Sequence, residues 1–262
     1  MFKRLSALGF AAAAASLLAA GTVYANPIVM TITTGNGSTG FSMYSGVSSG
    51  CSPGVSSCVT PTASTFGGWS ITLAKTQGDS YSPSASPDGM DLGLFTATCY
   101  SATSCDSGPL TISVSDTGFM TPGEYGGSTL GNTQTGSGMV EQWAFINSTN
   151  SNCTVIGWTQ AGPTWSSSCM TSGLSELGSP LKASSSATMS SYGTGTTMTP
   201  YSLTLVDEFT ATCSGATASG CVTFSEDNNI TATPEPGSLA IFAAGLLGCG
   251  LFVSRRRRAR QS

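Results

Sequence analysis

Leu110-Thr111-Ile112-Ser113-Val114-Ser115 alternates apolar and polar side chains without a break. A period of two sends Leu110, Ile112 and Val114 to one side of an extended strand and the hydroxyls to the other, a segregation that a helix would scramble. Trp69-Ser70-Ile71-Thr72-Leu73 repeats the pattern. Further runs rich in β-branched and aromatic residues lie at 28–33, 92–99, 139–147, 155–160, 201–213 and 221–225, separated by turns that contain Gly, Ser and Asn. Between the two chain ends no long stretch keeps a helical period. The expectation is a mainly β protein, a single β-sandwich or jelly-roll-like domain with long Ser/Gly/Thr-rich loops. Residues 162–200, rich in Ser, Gly and Met, read as loops on that scaffold.

Both ends of the chain differ from this body. Lys3 and Arg4 precede an apolar run from Leu5 to Ala20, and Val23-Tyr24-Ala25 offers a small-residue cleavage site before Asn26. That order is the pattern of a secretory signal peptide over residues 1–25, handled by the Sec translocon and signal peptidase and cut between Ala25 and Asn26. At the other end, Pro234-Glu235-Pro236 leads into an uncharged apolar run from Leu239 to Val253, followed by Arg255, Arg256, Arg257, Arg258 and Arg260. As a helix over 238–254, such a run reaches roughly 23–27 Å, slightly short of a hydrocarbon core of about 30 Å. Gly245, Gly248 and Gly250 thin it further, so temporary retention suits it better than permanent anchoring. The arginines keep the basic tail, 255–262, on the cytoplasmic side and leave everything before the helix outside. The two prolines hold Glu235 in extended backbone, as a presented carboxylate. Three parts follow: a leader over 1–25, an exported domain over 26–233 and a tail over 234–262.

The tail resembles the PEP-CTERM sorting domain in all three of its parts: the motif Pro234-Glu235-Pro236-Gly237-Ser238, the hydrophobic helix and the terminal Arg cluster. The resemblance implies an exosortase-type membrane protease as partner and an exopolysaccharide or biofilm setting. It further implies transient C-terminal anchoring followed by release to the cell surface or beyond. The body is also similar to other exported proteins with this tail, through Gly67-Gly68-Trp69-Ser70-Ile71, Met90-Asp91-Leu92, the run from Leu110 to Phe119 and Tyr201-Ser202-Leu203-Thr204. That second resemblance implies no activity.

Cysteine usage agrees with export. Of nine cysteines, Cys249 lies in the apolar tail and the other eight form local couples: Cys51–Cys58, Cys99–Cys105, Cys153–Cys169 and Cys213–Cys221. An even set in an exported chain reads as a disulfide framework, and sequential pairing is the proposal among 105 connectivities. No C-x-x-C occurs, so a thiolate metal site is not expected. Phe95-Thr96-Ala97-Thr98-Cys99 recurs as Phe209-Thr210-Ala211-Thr212-Cys213. Each copy meets a second cysteine shortly afterwards, which reads as two strand ends stapled to the following turn.

Charge narrows the partners. Between 26 and 233 the only basic residues are Lys75 and Lys182, against a dozen Asp and Glu. So acidic a body is unsuited to nucleic acid or an anionic membrane surface.

Catalytic motifs are few. The chain has no histidine, which removes Ser-His-Asp and Cys-His chemistry. Gly46-Val47-Ser48-Ser49-Gly50 therefore lacks the partner that a nucleophile elbow needs. Asp116-Thr117-Gly118 has no second copy and reads as a turn after the strand, with Asp capping backbone N–H groups and Gly taking positive φ. Glu141, with Asp207 or Glu208 facing it, is the carboxylate pair open to glycoside chemistry. Glu226-Asp227-Asn228-Asn229 and the span from Asp88 to Asp91 offer oxygens of the calcium type but also suit turns. Trp69, Trp143, Trp158 and Trp165 all read first as core, with Trp158 and Trp165, flanked by Gly, Thr and Ser, the candidates for ligand-stacking surfaces. The expected function is a non-enzymatic surface or extracellular-matrix protein without cofactor or resident metal. The alternative is a carbohydrate-binding or glycan-cleaving module, with extracellular polysaccharide as partner.

Overall fold

The computed structural model describes residues 28–35, 41–45, 55–59, 64–73, 77–81, 88–92, 95–100, 105, 108–119, 125–159, 162–194, 200–212 and 221–233. The leader over 1–25, the tail over 234–262, the Gly46–Gly50 stretch, Cys51 and Cys213 lie outside them. Among the described residues no helix is long and apolar enough to cross a membrane.

The first strands are β1 (Val29–Thr34), β2 (Phe41–Ser45), β3 (Val55–Val59), β4 (Ser64–Phe66), β5 (Trp69–Leu73) and β6 (Gln77–Tyr81). Next come β7 (Asp88–Asp91), β8 (Phe95–Cys99), β9 (Leu110–Phe119), β10 (Tyr125–Gly136), β11 (Gly138–Asn147) and β12 (Val155–Thr159). The last are β13 (Gly162–Trp165), β14 (Leu174–Glu176), β15 (Leu181–Ala183), β16 (Ala187–Thr194), β17 (Tyr201–Ala211) and β18 (Val222–Thr233).

Two antiparallel sheets carry the body. In the first the order is β14-β11-β17-β9-β1-β2, with β15 also on β11. In the second it is β3-β6-β7-β18-β8-β5-β4, with β10 along the other edge of β18 and β16 beyond it. A third, small sheet is the β12–β13 hairpin.

Alternation explains the layering. Ile112, Val114, Leu205, Phe209, Val140 and Met30 from the first sheet join Trp69, Ile71, Phe95, Leu130, Phe224 and Ile230 from the second in one buried cluster. Fully burying an aliphatic or aromatic side chain of this size contributes about 1.5–3 kcal/mol. Phe95 meets Phe209 edge-on at 5.5 Å, and Phe209 lies 5.2 Å from Phe224. Phe95 and Phe209, which open the two FTATC copies, thus lie in opposite sheets and touch across the core.

The polar side of β9 is buried as well. Ser113 and Ser115 are fully buried, as are Thr31 and Thr204 on neighbouring strands. The β12–β13 hairpin and the segment before it cover this face and use its hydroxyls as acceptors. Cys153 N–H donates to Ser115 Oγ at 3.1 Å, and Val155 N–H to Ser113 Oγ at 3.1 Å. Each such bond contributes about 1 kcal/mol net, and the larger penalty falls on leaving its buried partner unpaired. Phe145, Val155 and Val206 form a second small apolar cluster here, with Trp143, Trp165 and Leu174 packed against it.

Among the described residues two bridges have both partners in view, Cys99–Cys105 and Cys153–Cys169. Cys221 is also disulfide-bonded; its N–H donates to the Cys99 carbonyl at 2.8 Å, which sets it beside the Cys99–Cys105 bridge.

Several sequence expectations are corrected. Residues 162–200 are not simply loops: β13, β14, β15 and β16 lie there. β10 and β16 were missed because they hold hardly any apolar residues; β10 gains its order from twelve register pairs with β18 rather than from an apolar stripe. Asp116-Thr117-Gly118 lies within β9 and not after it. Opposite Tyr201 and Ser202 the register slips at Gly118, whose φ of +89° makes a bulge. The bulge is held by Asp116 Oδ1 accepting from Thr117 N–H and by Asn150 Oδ1 accepting from Gly118 N–H, both at 2.7 Å. The Gly67-Gly68 turn between β4 and β5 has φ of +53° and +82°, the pair of left-handed residues that a two-residue hairpin of type I′ requires.

Candidate functional site

The β11–β17 ladder brings acids to both faces of one sheet. Its register sets Glu141 beside Glu208 and Gln142 beside Asp207. Because successive residues point oppositely, Glu141 and Glu208 face outward and Gln142 and Asp207 inward. Only Glu208, of the two partners considered for Glu141, shares its face.

On the outer face Lys182 of β15 forms an ion pair with Glu141. Glu208 is pushed up to about 7, first by burial and then by the Glu141 charge, against the pull of Lys182. Glu176 on β14 is raised from the ordinary range by burial and by Glu141. Two positions along β11 on the same face stands the half-buried Trp143. Trp165 is also half-buried, its ring edge-on to Phe145 at 5.0 Å. The side chain of Trp158 lies outside the described residues.

The inner face holds a polar island in the middle of the core. Asp207, Gln142, Glu226, Asn228 and Asn132 are each at most 4% exposed. Asn228 Nδ2 donates to Asp207 Oδ2 at 2.9 Å, a direct hydrogen bond between the two sheets. Asn228 Oδ1 accepts from Gly131 N–H at 3.1 Å. Burial pushes Asp207 up to about 7, although the amides of Asn228 and Gln142 oppose the shift. Glu226 is pushed up to about 9, by burial and then by the Asp207 charge, with Asn228 opposing.

Glu226-Asp227-Asn228-Asn229 is thus neither a turn nor a loop site. β18 continues through it, and alternation buries Glu226 and Asn228 while Asp227 is exposed. The pairing of Glu226 with Asp207 was not anticipated. Phe224, Glu226, Asn228 and Ile230 at spacing two are the signal that would have shown it. Asp88 and Asp91 lie on β7 beside β18, with Asp91 in register with Asn229. Among the described residues no three His, Cys, Asp or Glu side chains gather to hold a metal.

These features define the body as an antiparallel, disulfide-bridged β protein. A family model described as the PEP-CTERM protein-sorting motif matches residues 232–258. The chain carries this motif, and the match starts on the last two residues of β18. No match was found among curated proteins. Solved structures with partial likeness include the Clostridium thermocellum endo-1,4-beta-D-xylanase 10B CBM22-1–GH10 modules complexed with xylohexaose, at 9% identity and TM-score 0.25 over 65% of this chain and 27% of that one. The enzymatically active domain of bacteriophage CBA120 tailspike protein 4 is 7% identical, with TM-score 0.24 over 62% of this chain and 19% of its own. The structure of infectious bursal disease virus Gx strain is 14% identical, with TM-score 0.28 over 81% and 53%. The chain therefore spans well under two thirds of each, and likenesses this faint carry no argument about fold or function.

The inner carboxyls make stability depend on pH. The unfolded chain releases these protons near pH 4, whereas the folded state keeps them at Asp207 to about 7 and at Glu226 to about 9. In that window the folded state binds more protons, so stability falls as pH rises, by about 1.4 kcal/mol per pH unit and group. Below pH 4 both states are protonated and the slope vanishes. Denaturant titrations of the full chain in divalent-free buffer should show this decline. Asp207→Asn with Glu226→Gln should flatten it and raise stability at pH 8.

Proposed function

We propose that this is an exported, disulfide-bridged surface or extracellular-matrix protein that acts without catalysis. It is sorted, and its tail removed, by an exosortase-type membrane protease. The Sec translocon and signal peptidase handle the leader over 1–25, and the setting is an exopolysaccharide or biofilm matrix. The observation that carries the reading is the PEP-CTERM motif at 232–258, which follows the final strand without a linker.

Distance gives the reading physical content. From Thr233, the last residue of β18, to the start of the apolar run at 238 the extended chain spans at most about 17 Å. On this reading the body is held against the outer face of the inner membrane while the tail is anchored. Glu235 falls between its two prolines within that short span, and cleavage there frees the body with β18 whole.

Intact-mass measurement of the native exported protein tests this. The expected mass lacks residues 1–25 and the tail beyond about Pro236. A mature population that keeps Arg255–Arg260 contradicts processing.

One observation favours a second reading, a glycan-binding or glycan-cleaving module. Glu208 and Glu141 are register neighbours, and burial holds Glu208 at about 7 while Glu141 pairs with Lys182. Two carboxyls in such unequal surroundings suit acid and base roles. Incubation of the full chain with bacterial exopolysaccharides discriminates the two readings. Hydrolysis lost about 100-fold or more in Glu208→Gln, or binding lost in Trp158→Ala, favours the second. Neither binding nor hydrolysis leaves the first.

A further inference from the structure

The island between the sheets contains more acceptors than donors. Five oxygens there have no hydrogen-bond partner: Asn132 Oδ1, Gln142 Oε1, Asp207 Oδ1 and both carboxyl oxygens of Glu226. Their owners occupy two register pairs, Asn132 with Glu226 in one sheet and Gln142 with Asp207 in the other. The Asn228–Asp207 hydrogen bond holds the pairs face to face.

The remaining polar atoms are spent in a consistent way. Gln142 Nε2 donates to the Thr129 carbonyl at 3.3 Å, and Asn132 Nδ2 to the Ser185 carbonyl at 3.1 Å. Asp207 Oδ2 is taken by Asn228. Each of these amide nitrogens donates to at least one protein oxygen, and the atoms of the island left without any partner are all oxygens.

We propose that Asp207, Glu226, Gln142 and Asn132 bind one hard divalent cation of the calcium class between the two sheets. This goes beyond the sorting role and does not depend on it. Unmatched buried acceptors each cost about 1–3 kcal/mol. Two protons, each shared between a carboxyl oxygen and one acceptor, satisfy at most four of the five, whereas one cation can satisfy all. Two carboxylates cancel a divalent charge, which an interior of low dielectric demands. Lys182 cannot do so, because it pairs with Glu141 on the opposite face of the sheet. The body's other lysine, Lys75, lies outside the described residues. Carboxylate and amide oxygens with neither nitrogen nor sulfur suit Ca²⁺, which takes six to eight such ligands at about 2.3–2.6 Å. Zinc would want histidine or thiolate.

The test uses the purified full chain at pH 8 with Ca²⁺ as the probe. Native mass spectrometry should find one Ca²⁺ per chain, and a chelator should lower the melting temperature. Glu226→Gln and Asp207→Asn should each weaken Ca²⁺ about 10-fold or more, while Asp227→Asn, on the exposed side of the same strand, leaves it unchanged. Either variant that fails to fold is replaced by Gln142→Leu, read by the same loss of affinity. Absence of bound Ca²⁺, or identical melting of the natural protein with Ca²⁺ and with chelator, overturns the proposal; water or protons then satisfy these oxygens. Ca²⁺ binding retained in both carboxamide variants overturns it too, and assigns the ion to another site such as the outer Glu141–Glu208 face.

Discussion

β18 is the strand through which the second sheet holds together. Its twelve residues pair with β10 along one edge; the other edge takes β8 over 222–226 and β7 over 229–232. Its inward side chains supply Phe224 and Ile230 to the core and Asn228 to the inter-sheet hydrogen bond. β10, poor in apolar residues, pairs with it along its whole length, and β16 joins the sheet through β10. A strand bonded on both edges opens only when the sheet does. The chain thus places a strand held on both edges immediately before the sorting motif.

The first sheet solves a different problem. An antiparallel sheet ordinarily buries one face and wets the other, and the alternation in 110–115 would suit that arrangement. Here both faces are covered. The hydroxyls of Ser113 and Ser115 accept N–H bonds from the segment that the Cys153–Cys169 bridge fastens down. Closing a loop of that length contributes about 3 kcal/mol, which helps a covering segment with so small an apolar cluster stay in place. Serine and threonine, so abundant in this chain, act here as packing residues with one built-in hydrogen bond.

Legibility followed the source of order. Strands with an apolar stripe, such as β5, β9 and β17, could be read directly, since burial of one face leaves a period of two. β10 and β16 carry no such stripe, because neighbours and backbone hydrogen bonds hold them, and that information is non-local. The outer acids were half-visible: Glu141 and Glu208 both stood out as candidates, but only the ladder register makes them neighbours. The inner pair was hidden because Glu226 sits in a run of polar residues that looks like a turn. Turn chemistry and buried polar chemistry draw on the same residue types, and only the sheet on either side separates them.

The motif at 232–258 and the fold join at one residue, Thr233. If β18 is the keystone, the body must keep its order right up to that junction. Amide hydrogen exchange read by mass spectrometry on the full chain measures this directly. Residues 222–233 and 125–136 should be among the slowest to exchange, protected to within a residue or two of Thr233. Fast exchange over 222–233 while 110–119 and 201–211 stay protected would contradict the account.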